Sequence, residues 1–168
     1  MRVFKLSKTA KKVFDAKLLR EIEERGAVAL VVKEDEVEIT ANDEENGGAE
    51  WIAEQVIKAL VYGFEPKHAF KLFNDEYFLE TIDLENAFHR KEKDVKRAKS
   101  RIIGEGGKAR KNLEQLSDTH ILVSNLTDNV TILGKFQDLQ NAKEAIIRLL
   151  EGSPHESVYK FLENKKEY

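Results

Sequence analysis

Residues 101–111 read Arg-Ile-Ile-Gly-Glu-Gly-Gly-Lys-Ala-Arg-Lys. Three glycines in four positions, set among cations, suit one piece of chemistry: capture of an anion by the backbone. Glycine lets the main chain turn sharply and approach a ligand with no side chain in the way. A helix that starts just after such a turn aims its first N–H groups, and the positive end of its dipole, at the space before it. Arg101, Lys108, Arg110 and Lys111 add positive charge there, and Arg97 lies one helical turn ahead of Arg101. A phosphate is the natural occupant. Glu105 is the discordant residue, because an acid beside a phosphate weakens binding unless it pairs with Lys108 or Arg101.

The chain's charge is distributed to match. Its 168 residues carry a net charge of −3, which alone argues against nucleic acid. Residues 90–111, however, hold ten Lys or Arg (Arg90, Lys91, Lys93, Lys96, Arg97, Lys99, Arg101, Lys108, Arg110 and Lys111) against three acids, a balance of +7. The remainder is left at −10. A basic segment on an acidic body is the electrostatic footprint of a phosphate backbone.

Other chemistries find little support. There is no cysteine, hence no disulfide framework, cysteine nucleophile or thiolate metal site. The four histidines (His68, His89, His120 and His155) are too scattered to ligate a metal, and no cofactor is expected. No Walker loop, nucleophile elbow or spaced carboxylate pair is present, so the chain reads as a non-enzyme. No apolar run is long enough to span a membrane, and no leader pattern opens the chain, which points to a cytoplasmic protein.

The elements that position the loop follow from periodicity. Val3–Leu6 reads as a strand, followed by a helical stretch to about Arg25 with Gly26 as its C-cap. Ala27–Val32 reads as a buried strand and Glu36–Thr40 as an alternating one. Residues 42–48 form a polar loop before a helix with Ile52, Ala53, Val56 and Leu60 on one face. Gly63–Phe78 is too apolar for a linker and reads as a packed helical connection. Trp51 and Phe64, Phe70, Phe73 and Phe78 are expected in the core. The order then repeats: strand Leu79–Leu84, helix Lys91–Ile103, the glycine loop, a second helix, strands His120–Ser124 and Asn129–Leu133, and a helix from about Phe136 to Leu150. A final helix is expected after Ser153, a capping residue, with Pro154 at its first position.

With Ile102 and Ile103 ahead of it, the loop Gly104-Glu105-Gly106-Gly107 between two helices resembles the I-G-x-x-G signature of KH modules. Such loops clamp the backbone of a four-nucleotide single strand. On that reading the phosphate is taken by backbone N–H groups at Gly106–Lys108 and by Arg97, Arg101, Lys108, Arg110 and Lys111. Gly104, Glu105, Gly106 and Gly107 form the clamp. Ile103, Leu113, Ile121 and Val123 form an apolar floor for the bases.

Three stretches carry a more specific resemblance: Gly63-Phe64-Glu65-Pro66 leading to Ala69-Phe70; Arg101 to Arg110; and Gly152-Ser153-Pro154-His155-Glu156-Ser157-Val158-Tyr159. Together they resemble the archaeal KH proteins related to the eukaryotic Pno/Dim-type ribosome-assembly factor. The resemblance implies an α+β fold of two tandem type I KH units (βααββα) packed into one compact body, plus a C-terminal helix. The expected divisions are a first unit over 1–62, a connection over 63–78, a loop-bearing unit over 79–151 and a helix over 152–168. It further implies binding of RNA near the 3′ end of small-subunit rRNA. The implied partners are a Nob-type endonuclease and the alpha subunit of translation initiation factor two.

The first unit departs from the pattern. Where a loop belongs it reads Ser7 to Ala16 without a glycine, so this copy is expected to face protein or act as scaffold, with Lys8, Lys11 and Lys12 as weak phosphate contacts at most. Two other readings remain open. One is a protein-interaction adaptor with vestigial RNA binding; the other is a general RNA-binding cofactor of an RNA-processing complex.

Overall fold

The computed structural model describes residues 1–87 (the Ala87 side chain excepted), 92–125 and 127–166. His89, Arg90 and Lys91, the last being the expected first residue of the basic helix, lie outside the described residues. The chain divides into two units, Met1–Asp75 and Glu76–Tyr168. The connecting stretch up to Asp75 therefore belongs to the first unit, and the C-terminal helix to the second.

In the first unit, strands β1 (Arg2–Lys5), β2 (Val28–Val32) and β3 (Glu36–Ala41) form an antiparallel sheet in the order β1-β3-β2. Helices α1 (Ala16–Gly26) and α2 (Ala49–Tyr62) complete its layer. The helical stretch expected up to about Arg25 is broken: Ala10–Val13 is a 3-10 turn, and α1 begins only at Ala16. Asp15 then caps α1, its carboxylate accepting from the Leu18 N–H at 2.7 Å. Asp15→Ala leaves that N–H unsatisfied and is expected to cost the first unit about 1 kcal/mol. Urea unfolding followed by the fluorescence of Trp51, the only tryptophan and a residue of this unit, measures it.

Two expectations here are corrected. Gly26 is the last residue of α1, and Ala27, at φ 51°, takes the left-handed cap position. Gly26 is under a different constraint: a Cβ there would meet a ring carbon of Phe73 at 3.1 Å, a tight contact that the ring would have to relieve by a few tenths of an ångström. Strand β2 is not buried on both faces, since Val31 is 53% exposed. Ala29 and Val31 point to the face of the sheet that is open to solvent, alternating with Val28, Leu30 and Val32.

After α2 come α3 (Pro66–Ala69) and a 3-10 turn, Phe70–Phe73, which pack within the first unit. The Arg25 guanidinium lies over the Phe70 ring at 4.8 Å. Phe64 and Phe70 are buried as expected and Phe73 partly so, whereas Phe78 is exposed and Trp51 is 47% exposed. Helical spacing marked Trp51 as apolar-faced, but it stands off the stripe that is buried, Ala49, Ala53, Val56 and Leu60, and so faces solvent.

The second unit repeats the sheet with β4 (Tyr77–Asp83), β5 (His120–Val123) and β6 (Asn129–Lys135) in the order β4-β6-β5. Between β4 and β5 run a short α4 (Leu84–Ala87), α5 (Glu92–Ile103) and α6 (Lys108–Ser117); α7 (Phe136–Leu150) and α8 (His155–Lys166) follow β6. One core joins them, with Val95, Ala98 and Ile102 of α5, Leu113 of α6, Ile132 of β6, Ile146 of α7 and Val158 and Leu162 of α8 in a single cluster. The unit is thus βααββα with α8 built into its core.

A shared device shows the repeat in atomic terms. Glu23 of α1 accepts from the Leu30 N–H on edge strand β2 at 2.8 Å, and Glu114 of α6 accepts from the Ile121 N–H on edge strand β5 at 2.9 Å. Each pair is seven residues apart, and each spans a left-handed residue, Ala27 or Asp118. In both units a helical glutamate satisfies a donor that an edge strand would leave open.

Candidate nucleic-acid interface

Helix α5 is amphipathic. Val95, Ala98 and Ile102 are buried while Lys93, Lys96 and Arg97 are exposed. Its last turn closes with the Gly104 N–H donating to the Ser100 carbonyl at 2.8 Å. Gly104 has φ 73° and ψ 173°, a region open in practice to glycine alone. A Cβ at this position would stand 2.6 Å from the Ala109 Cβ and 2.8 Å from its backbone nitrogen. Gly104 is what allows α6 to fold back so close to α5.

Gly106 and Gly107 do a different job. Both have positive φ (61° and 78°), and no other group lies within 4 Å of where a Cβ would sit. They turn the chain and leave the outer side of the loop clear for a ligand.

The donors differ from those read in the sequence. The Gly107 N–H is spent on the Gly104 carbonyl (3.2 Å), and the Lys108 N–H on that of Glu105. Two of the three N–H groups expected at Gly106–Lys108 thus close the loop itself, as a 3-10 turn requires. Gly107 provides no side-chain cap for α6, and the first turn carries no acid. The contrast with α1, whose start is filled by the Asp15 carboxylate, is direct.

The cations fall into two groups. Lys93, Lys96, Arg97, Lys108 and Lys111 are exposed and Arg110 is half-buried, and among the described residues none forms an ion pair. Lys99 and Arg101 are occupied. The Lys99 ammonium donates to the Thr127 carbonyl (2.6 Å) and pairs with Asp128 at 3.4 Å, holding the turn between β5 and β6. Arg101 Nη2 donates to the Ser153 carbonyl at 2.8 Å. Glu105 is exposed and, among the described residues, pairs with neither Lys108 nor Arg101.

The apolar floor is smaller than expected. Leu113 and Ile121 are 1% and 2% exposed and belong to the core, so neither offers side-chain surface to a base. Their inward faces on α6 and β5 pack against α7 and α5, which spacing alone did not separate from a groove lining. Ile103 and Val123 are half-buried and remain on the surface. Glu114, which sequence reading missed, holds the edge of β5 beside them; its repeat of the Glu23 to Leu30 spacing was the available signal. Among the described residues, no three or more His, Asp or Glu converge as a metal site.

A family model described as the eukaryotic-type KH-domain (KH-domain type I) matches residues 78–167, the unit that holds this loop. The chain belongs to the Pno/Dim-type KH family. The match runs through α8, in keeping with that helix's place in the core. Among relatives, a KH domain-containing protein of Methanocaldococcus jannaschii is 40% identical over 119 residues, 71% of this chain and 51% of that one. The RNA-binding protein PNO1 of Oryzias latipes is 38% identical over 108 residues, 64% of this chain and 44% of that one. The chain therefore spans about half the length of these relatives. Among solved structures, Dim2p from Pyrococcus horikoshii OT3 superposes with a TM-score of 0.85 at 32% identity, covering 97% of this chain and 98% of that one. The same family is represented in an a/eIF2alpha-aDim2p-rRNA complex from P. horikoshii, with a TM-score of 0.86 at 32% identity and coverage of 99% and 93%. The two-sheet α+β architecture is thus the family's own.

Proposed function

We propose that this chain binds single-stranded RNA through its second unit and serves in pre-rRNA processing, at the 3′ region of small-subunit rRNA. The observation that carries the reading is the start of α6. It lacks a side-chain cap and any acid in its first turn, faces two unobstructed left-handed glycines, and is surrounded by cations without acidic partners. Such a helix start accepts a backbone phosphate, while Ile103 and Val123 offer apolar surface for a base. The names of relatives agree, including a pre-rRNA-processing protein PNO1 of Coccidioides immitis, 31% identical over 134 residues. The rRNA in the P. horikoshii complex supports it further. The a/eIF2alpha in the same complex favours a second role, docking of the initiation factor's alpha subunit, alongside RNA capture. Among the described residues no helix is long and apolar enough to cross a membrane.

The test is fluorescence anisotropy with a short RNA from the 3′ end of small-subunit rRNA, beside a scrambled RNA and the matching DNA, over a range of salt. Preferential, salt-dependent binding of the first RNA is expected. Equal binding of all three would reduce the site to a nonspecific basic surface, and no binding would leave the adaptor role. In the same assay Glu105→Lys is expected to tighten binding by about tenfold, because an unpaired acid gives way to a phosphate contact; the salt slope should steepen by roughly one unit. An unchanged slope would place Glu105 away from the RNA backbone.

A further inference from the structure

The charge of Arg101 suggests a place on the RNA surface; its contacts place it elsewhere. Its Nη2 donates to the Ser153 carbonyl at 2.8 Å, and its own carbonyl lies 2.9 Å from His155 Nε2. The Nε of the same guanidinium is buried with no hydrogen-bond partner, so the group is enclosed where it sits. Arg101 is the third residue before Gly104, Ser153 lies two residues ahead of α8, and His155 is the first residue of that helix. The end of α5 is thereby clasped to the start of α8.

We propose that this clasp and α8 set the geometry of the glycine loop, making Arg101 and His155 positioning residues for RNA rather than contacts of it. The proposal rests on the RNA-binding reading above. Helix α8 is fastened at both ends. At its start it holds α5 through Arg101; near its end the Lys166 ammonium donates to the Gln115 carbonyl in the last turns of α6, at 2.9 Å. Between these ties Val158 and Leu162 sit in one core cluster with Ile102 of α5 and Leu113 of α6. The two helices flanking the loop are thus held by a single third helix. The loop's own ties are local, the Gly107 and Lys108 N–H groups donating to the Gly104 and Glu105 carbonyls, and two of its three left-handed glycines have open space around them. Glycine-rich backbone loses more freedom on binding than any other, so holding its ends in advance raises affinity without touching the ligand.

The experiment compares wild type, Arg101→Met and His155→Ala in the anisotropy assay with the 3′-end RNA at several salt concentrations. Thermal unfolding and amide exchange at residues 104–108 are measured on the RNA-free proteins. Each variant is expected to bind about tenfold more weakly, as loss of one charge-assisted or buried hydrogen bond implies. The salt slope should match that of wild type, and the loop amides should exchange faster. His155→Ala removes only a ring and its hydrogen bond, so it carries the test if Arg101→Met does not fold. A salt slope reduced by about one in Arg101→Met would make Arg101 a phosphate contact and overturn the proposal. So would unchanged loop exchange in folded His155→Ala. If wild type itself fails to bind RNA, the RNA reading falls, while the exchange data still decide whether the clasp holds the loop.

Discussion

Gly104→Ala should cost the second unit about 3 kcal/mol and abolish its RNA binding. The backbone conformation of Gly104, φ 73° and ψ 173°, costs a residue with a side chain on the order of 1–3 kcal/mol. The contact adds to this. The new methyl would stand 2.6 Å from the Ala109 Cβ and 2.8 Å from the Ala109 nitrogen. A backbone nitrogen in the first turn of a helix cannot swing aside as a side-chain tip can, so α6 must shift, at a further cost typical of overpacking, about 1–3 kcal/mol. Trp51 is in the other unit, so unfolding of the second unit is followed by far-ultraviolet circular dichroism in urea or by amide exchange in β5 and β6. A urea midpoint equal to that of wild type would mean that the loop rebuilds around alanine and that the close approach of α5 and α6 is dispensable.

The double substitution Glu105→Asp with Gly106→Asp should do the opposite, leaving the fold and removing function. Gly106 lies at φ 61° and ψ 18°, the left-handed region that aspartate tolerates better than most residues, and nothing lies within 4 Å of its missing Cβ. The cost to stability is therefore about 1 kcal/mol, a fall of roughly 5 °C in melting temperature for a unit of this size. Electrostatically the loop gains a negative charge where the phosphate is to lie, beside the α6 start that would otherwise attract it. Affinity is expected to fall at least about a hundredfold, near 3 kcal/mol, since a second carboxylate then faces the phosphate and its side chain fills the space the loop had left clear. Unchanged affinity in the folded double variant would move the RNA surface away from this loop. Together the two substitutions separate the tasks of the glycines: Gly104 serves packing, and Gly106 serves access.

Much of this was legible along the chain because it is local. The period of Val95, Ala98 and Ile102 marks a helix, and the apolar face that it predicts is the face buried. The loop is readable because three glycines in four positions have few structural uses, and the excess of Lys and Arg around it does not depend on the fold. The alternating strand at Glu36–Ala41 and the tandem order of elements follow from the same short-range patterns.

What stayed hidden depends on groups far apart in sequence. Arg101 and Arg97 look alike in a sequence, since both are cations on one helical stripe; one is exposed, and the other is tied to Ser153, 52 residues away. Lys99 differs from Lys96 only because Thr127 and Asp128 fold back to meet it. Ile121 and Val123 share one face of a strand and the same apolar character, yet packing across the unit takes Ile121 into the core and leaves Val123 part-exposed. Gly26 resembles a helix stop in the chain, yet it closes α1 from within and lies against a phenylalanine ring 47 positions further on, Phe73. Periodicity and composition report which residues want burial or charge. Which of them are consumed by long-range hydrogen bonds and packing, and which are left for a ligand, is settled only when distant segments meet.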